Sequence, residues 1–432
     1  VNCSGSLERS GWAHLYLYDF VTGELKNTVT QGDWVVRQVV HIDQARREAY
    51  IQTGGRVSGR DPYYRDFCRV NLDTGRVTPI VSSDHDVVAS NYKEMDIYYN
   101  LSGSPHELKN SNGVSPTANF YVLSKSRADE VPSSFLVNRQ GEVILDVEVA
   151  DISELPSNWQ WPEPTKLTAA DGVTDIYGLV FRPTDFSSKI SYPIVTFTPS
   201  ASPDFPIVPK GAFGRGINAG YDYFMAAALA EIGFVVVMID TRGSAFRSKA
   251  FKDESYGWIE SACNLDDLVA GTQQLAKRYS YMDLNRVGIL TSLGGPGGLQ
   301  GLLQYPEFYK VGISHQLHDS RLMSAPLWGE MYEDVHGPDA ARQYPEEMVE
   351  NLRGKLLLIG GMLDYITPPA AIFRVVEALQ KANKDFDLLL LPSLEHDISG
   401  YVLRRIWDYL VLNLLAIEPP SEFKLTAPAF AS

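Results

Sequence analysis

Residues 287–300 read VGILTSLGGPGGLQ. A β-branched and apolar run stops at Ser292, and glycines and a proline follow. A buried strand, a serine, then glycines opening a helix is the layout of a sharp turn that presents a nucleophilic serine. It is equally the layout of a plain Gly-rich loop, because serine and glycine are ordinary turn formers. The nucleophile turn usually reads Gly-x-Ser-x-Gly; here Leu290 stands at the first glycine position and Gly294 keeps the second. We read the stretch as a modified nucleophile turn, with Pro296 beginning the next helix, where its missing N–H does no harm.

The surroundings favour that reading. From residue 169 onward short apolar runs alternate with helical stretches. The runs are IVTFT (194–198), VVVMID (235–240), VGIL (287–290), VGIS (311–314), LLLIGG (356–361) and LLLLP (388–392). Between them YDYFMAAALAEIGF, NLDDLVAGTQQLAKRY and AAIFRVVEALQKAN carry apolar residues at helical spacing. Continuous apolar strands separated by amphipathic helices predict a mostly parallel, doubly wound sheet covered on both faces. Chemistry in such sheets sits at the carboxyl ends of the strands. There the sequence places Ser292 after VGILT, Asp364 after LLLIGGML and His396 after LLLLPSLE. Serine, aspartate and histidine in that chain order are the order of the α/β-hydrolase fold. The chemistry needs those types: a neutral imidazole takes the serine proton, and the carboxylate fixes the tautomer and stabilises the imidazolium. Taken singly, Asp364 could cap a helix beginning near Pro368, and His396 could lie in a surface loop.

The bulk properties narrow the function class. The chain has 432 residues, 44% hydrophobic and 21% charged, enough for large cores and two or three domains. Its formal net charge of −15 argues against nucleic acid or an anionic membrane as a partner. No apolar run reaches the ~18 residues of a membrane span, and the start VNCSGSLERSGW lacks the features of a signal peptide. Three distant cysteines give no disulfide framework and no metal pair. His315 and His318 are three apart, but no carboxylate or cysteine extends them into a zinc site, so no metal and no cofactor is expected.

Residues 1–150 follow a different grammar. HLYLYDFVTGELKNTVT, CRVNLDTGRVTPIV and FLVNRQGEVILDV each read as a strand, a turn ending in Gly23, Gly75 or Gly141, and a second strand. The repeat is somewhat longer than the ~40–50 residues of a propeller blade. Three blades do not close a propeller, so this region is either part of one, with further blades outside this chain, or an irregular β sandwich. We favour the former. Residues 151–168 form a Pro- and Trp-containing connector, 169–420 the α/β-hydrolase domain, and 421–432 a tail.

The C-terminal half resembles the catalytic domain of the prolyl oligopeptidase family, in particular its bacterial dipeptidyl-peptidase-like members. The stretches that carry the resemblance are DGVTDIYGLVFRPTDF, the DTRGS of 240–244, RVGI followed by Ser-x-Gly-Gly, YPEFYKVGIS, LRGKLLLIGGMLD, VVEALQKANKDFDLLLLP and RRIWDYLVLNLLAIEPP. They span about residues 165–420, and GWAHLYLYD extends the likeness into the β half. The resemblance implies a β-propeller before the hydrolase domain, a serine nucleophile at Ser292, and its partners at Asp364 and His396. It also implies an exported or periplasmic setting and a homodimer.

The departures from the family pattern cluster at the site. RVGILTSLGG is one residue shorter before the serine than the family motif. The family takes one oxyanion donor from a tyrosine hydroxyl in a Tyr-x-Gly-Pro stretch; the matching SASP has Ser200 there. The other donor is the backbone N–H after the nucleophile, that of Leu293. The family's Asp-x-Asn, which helps hold the peptide carbonyl, becomes Asp364-Tyr365-Ile366, and Ile366 has no side-chain donor. Trp328 and Tyr332 fall where the family lines its apolar specificity pocket, though they read equally well as core aromatics.

The leading expectation is a serine hydrolase of the prolyl oligopeptidase type, cleaving a small peptide, amide or ester through an acyl-enzyme. An esterase, a lactonase or a biosynthetic acyl-transfer or cyclisation enzyme would use the same fold. A catalytically silent relative would use it as a binding scaffold.

Overall fold

The computed structural model describes residues 2–81, 83–89, 113–199, 207–212, 217–258, 263–292, 295, 297–319, 322 and 344–425, the side chains of 2–7 and 217–221 excepted. The chain divides into two compact units. One comprises Val1–Ser157 with two short returns, Pro209–Phe224 and Phe246–Lys252; the other comprises Asn158–Val208, Met225–Ala245 and Asp253–Ser432.

The first unit is built from three antiparallel sheets in sequence order. β1 (Asn2–Leu7), β2 (His14–Asp19) and β3 (Leu25–Thr28) form the first. β4 (Val35–Asp43), β5 (Glu48–Gly54), β6 (Arg65–Asn71) and β7 (Val77–Pro79) form the second. β8 (Asp86–Val88), β9 (Phe120–Arg127), β10 (Glu130–Asn138) and β11 (Val143–Val149) form the third. Each is a meander, the sheet unit from which propellers are built. The three sequence repeats are the hairpins β2–β3, β6–β7 and β10–β11. The core lies between successive sheets. Leu15, Leu17, Val36, Ile51 and Val70 pack between the first and second. Tyr50, Phe67, Tyr121, Leu123 and Phe135 pack between the second and third.

The hairpin glycines have a physical reason beyond the turn. Gly75 and Gly141 have φ of 69° and 87°, and a Cβ on them would sit 2.6 Å from the Val29 carbonyl oxygen and 2.0 Å from that of Ile80. Val29 and Ile80 directly follow the last strand of the preceding sheet. The turn of each later sheet therefore rests on the backbone that leaves the sheet before it, and only a residue without a side chain fits.

The second unit is an eight-stranded sheet. Its strands are β12 (Glu163–Thr168), β13 (Asp175–Phe181), β14 (Tyr192–Thr198), β15 (Val235–Asp240), β16 (Met282–Thr291), β17 (Val311–His315), β18 (Lys355–Gly361) and β19 (Asp387–Leu391). They lie in the order β12-β13-β15-β14-β16-β17-β18-β19, antiparallel at β12–β13 and β13–β15 and parallel across the rest. This is the mostly parallel sheet that the sequence predicts. β14 and β15 are buried along their whole length, which is why they read as continuous apolar runs. The helix Leu265–Arg278 shows how the covering layer is specified. Asn264 caps it by accepting from the Asp267 N–H, Asp266 and Asp267 lie in its first turn, and Lys277 and Arg278 lie in its last. The strand order reverses at β14: the chain passes to β15 on one side and returns to β16 on the other. The crevice at the carboxyl end of that switch is where a ligand site is expected.

No helix among the described residues is long and apolar enough to cross a membrane.

Candidate active site

Ser292, Asp364 and His396 leave the carboxyl ends of β16, β18 and β19. β16 runs to Thr291, so Leu290 is a strand residue, paired with Phe197 and Ile313 and fully buried. This resolves the missing glycine. The strand continues one position closer to the serine, and the leucine side chain fills the core rather than crowding a turn. The helix Gly297–Gln304 begins beyond the serine, and Gly298 lets it approach β17, since a Cβ there would meet the Ile313 carbonyl oxygen at 2.1 Å. Pro296 lies outside the described residues.

Asp364 and His396 are joined. His396 Nδ1 lies 2.9 Å from Asp364 Oδ2, and that oxygen also accepts from the Thr367 hydroxyl at 2.7 Å. Oδ1 accepts from the N–H groups of Ile366 at 2.9 Å and Thr367 at 2.8 Å. Burial works against charge on Asp364, but the His396 hydrogen bond, followed by the Thr367 bonds, holds its carboxyl below the usual carboxylate range. The aspartate stays ionised and His396 Nδ1 carries the proton. Nε2 is then the free lone pair, the state a general base needs. Asp364 does not cap the following helix, which spans Pro369–Lys381 and has no side-chain cap.

Ser292 is fully buried, and its Oγ makes no hydrogen bond among the described residues. The structure thus brings two of the three expected residues together and leaves the serine hydroxyl apart from the imidazole. Ile366 is half-buried and meets the aspartate through its backbone alone. Leu293, Ser200, Trp328 and Tyr332 lie outside the described residues. Asp240, at the end of β15, accepts at Oδ1 from the N–H groups of Ile207 at 2.5 Å and Val208 at 3.0 Å.

Two further residues of the site were not singled out for it from sequence. His315 closes β17, between the strands that deliver Ser292 and Asp364, and it is fully buried with neither ring nitrogen hydrogen-bonded among the described residues. The register pairs Thr291 with Ser314, so Ser292 and His315 occupy the next positions on adjacent strands. Burial, and then the nearby His396, push the His315 imidazole down to about 3. Gln316 follows it and reaches the loop that carries His396. The strand-end rule that located the other three points equally to the residues after VGIS.

A pH dependence follows from His315. Its folded value lies below the unfolded value near 6.5, so below that pH the unfolded chain binds a proton that the folded chain refuses. Stability falls as pH drops from about 6.5 to about 3, by up to about 1.4 kcal/mol per unit. Denaturation of His315→Leu beside wild type across that range is expected to show a shallower decline in the variant. Parallel curves would mean that the folded protein admits the proton.

Comparison with known proteins fits this architecture. A model of the prolyl oligopeptidase family matches residues 220–415, and one of the dipeptidyl peptidase IV N-terminal region matches residues 3–107. The chain is 28% identical over 387 residues to dipeptidyl peptidase 8 of Homo sapiens, an alignment covering 86% of this chain and 39% of that protein. The mouse (Mus musculus) protein of the same name is 27% identical over 388 residues, covering 86% and 40%. The chain therefore spans about two fifths of the length of these curated relatives. The crystal structure of Porphyromonas gingivalis dipeptidyl peptidase 4 superposes with a TM-score of 0.76 at 20% identity, over 96% of this chain and 55% of that one. That likeness is one of fold.

Proposed function

We propose that the chain, whose residues 220–415 match the model of the prolyl oligopeptidase family, is a serine peptidase of that type, acting on a small peptide through an acyl-enzyme. The observation that carries the proposal is the 2.9 Å Asp364–His396 hydrogen bond, formed at the ends of two strands of a sheet that delivers Ser292 from a third. In this reading Ser292 Oγ attacks the substrate carbonyl while His396 Nε2 takes its proton. Asp364 holds the imidazolium, and the Leu293 N–H donates to the developing oxyanion. His396 then returns the proton to the leaving amine, and water resolves the ester with the imidazole as base. The Ser292 hydroxyl must turn from its buried resting position to reach Nε2; catalytic hydrogen bonds often close only in the substrate complex. Ser200 is too short to replace a phenol at the same backbone position, so the oxyanion site rests mainly on the Leu293 N–H. One lost donor lowers the rate by about 10²–10³-fold. Trp328 and Tyr332 are proposed to line the pocket for the residue whose bond is cut, and a homodimer in solution is part of the same proposal.

The test combines labelling with turnover. A fluorophosphonate is expected to label the wild-type protein at Ser292, and aminoacyl-proline amides are expected to be cleaved more slowly than a family member with the oxyanion tyrosine would cleave them. Labelling with turnover of simple esters alone would replace the peptidase reading with an esterase. No labelling of the folded protein would remove the hydrolase reading.

A further inference from the structure

The loop that carries His396 is held from β17, a strand that supplies none of the three reacting residues. Gln316 directly follows that strand, 1% exposed, with a φ of 59°. Its N–H donates to the Ile359 carbonyl of β18 at 2.8 Å, the bond that closes the last pair of the two strands, His315 with Ile359. Its side-chain Nε2 donates to the carbonyls of Glu395 at 2.9 Å and Asp397 at 3.1 Å. Those are the carbonyls on either side of His396. Both partners can only accept, so the amide nitrogen must face them and the orientation of the side chain is fixed. Gln316 Oε1 is left buried without a partner among the described residues.

This residue combines three unfavourable features. The left-handed region disfavours any side chain other than that of glycine, asparagine or aspartate. A buried amide must be desolvated, and one of its two polar atoms goes unmatched. The strand-to-loop turn itself asks only for the left-handed backbone, which glycine would supply without strain. What glutamine adds is the grip on both carbonyls that flank the imidazole.

We propose that Gln316 is a positioning residue for His396, a two-pronged clamp that fixes the loop backbone while Asp364 fixes the ring. The proposal rests on the reading of His396 as the base. With the clamp in place the imidazole is defined twice: at Nδ1 by the carboxylate, and at its own backbone by the amide. Without it the loop keeps its contact to Asp364 but gains freedom to tilt, and Nε2 loses its aim at the serine. A misplacement of about 1 Å in a reacting group lowers a rate by about 10²-fold.

Gln316→Gly and Gln316→Asn test this. Both residues accept the left-handed backbone, so the turn is kept or relaxed. Glycine has no amide, and asparagine carries one that is one methylene too short. Gln316→Met keeps the volume without the amide and serves where a smaller residue leaves a chain that does not fold. Five quantities are measured: the thermal midpoint, kcat and KM separately, the rate of fluorophosphonate labelling, and the downfield proton resonance of the His396–Asp364 hydrogen bond. In Gln316→Gly the midpoint is expected to change little, because the two lost hydrogen bonds offset the relieved backbone strain and the removed unmatched Oε1. KM is expected to change less than about twofold, while kcat and the labelling rate fall about 10–100-fold and the downfield proton shifts or broadens. Folded variants with wild-type kcat and an unchanged proton overturn the clamp. If wild type itself is not labelled but the proton still responds in Gln316→Gly, the clamp stands and the hydrolase reading fails.

Discussion

Ser292→Ala is expected to lower peptide turnover by about 10⁴–10⁶-fold while leaving the protein at least as stable as before. The first half follows from the role proposed for the hydroxyl. When a nucleophile acts together with its base, removing it alone forfeits nearly all of their joint contribution, and the remainder comes from binding and the oxyanion donor. The second half follows from the structure. Ser292 Oγ is fully buried and makes no hydrogen bond among the described residues. An unmatched buried hydroxyl costs about 1–3 kcal/mol, so its removal relieves a penalty instead of breaking a contact. A structural serine at a strand end would behave in the opposite way, losing stability with its hydrogen bond. Kinetics with an aminoacyl-proline amide, beside a denaturant titration of both proteins, separate the two. Retained turnover would place the nucleophile elsewhere.

The same buried hydroxyl marks where sequence reading stops. The strands announced themselves because burial on both faces demands continuous apolar runs, as in VVVMID and LLLIGG, and the hairpins because Gly75 and Gly141 must adopt left-handed turns against a neighbouring carbonyl. Periodicity and punctuation are local signals with a fixed physical cause. The pair β8 and β9 was harder to see. β8 is only three residues long, and β9 opens with apolar residues on both faces, exposing Phe120 and Val122 while burying Tyr121 and Leu123. Neither shows the clean polar–apolar alternation of a half-buried strand. Nor does anything in the composition of Pro209–Phe224 and Phe246–Lys252 indicate that they pack with the β unit. Their surroundings along the chain are those of the other unit, and long-range packing leaves no periodic trace.

The site divides along the same line. The three residues proposed for catalysis, Ser292, Asp364 and His396, could be picked out because each follows an apolar run that forms a strand, and strand ends can be read; the run before His396 proves to be the half-exposed edge strand β19 and not a buried one. The geometry among them could not be read. Leu290 looked like an obstruction in a turn, yet it is the last-but-one residue of a strand. Nothing about Gln316 as a residue type marks it as a clamp, since its function lies in two carbonyls about eighty positions later in the chain. Thr367 is a similar case: its hydroxyl supports the same carboxylate oxygen as the imidazole, a contact that depends on the exact course of the loop after Asp364.

The carboxylate permits one more strong expectation. Asp364→Asn is expected to lower turnover about 10⁴-fold with little loss of folded structure. Asp364 accepts four hydrogen bonds, two at each oxygen: the Ile366 and Thr367 N–H groups at Oδ1, the Thr367 hydroxyl and His396 Nδ1 at Oδ2. An asparagine must turn its NH₂ toward one of these pairs. Facing the two backbone N–H groups, it would strand both donors, because neither can become an acceptor. Facing the other pair costs less, since the threonine hydroxyl can rotate to accept and the imidazole can change tautomer. The second orientation therefore wins, and its consequence is chemical. With Nδ1 accepting from the amide, the ring proton moves to Nε2, the atom that must receive the proton of Ser292. The fold survives because every partner is satisfied, and the reaction fails because the base is already occupied. Measured kcat and the resonance of the ring proton test both halves. An Asp364→Asn protein that keeps more than about a tenth of wild-type kcat would show that the tautomer at His396 does not govern the reaction.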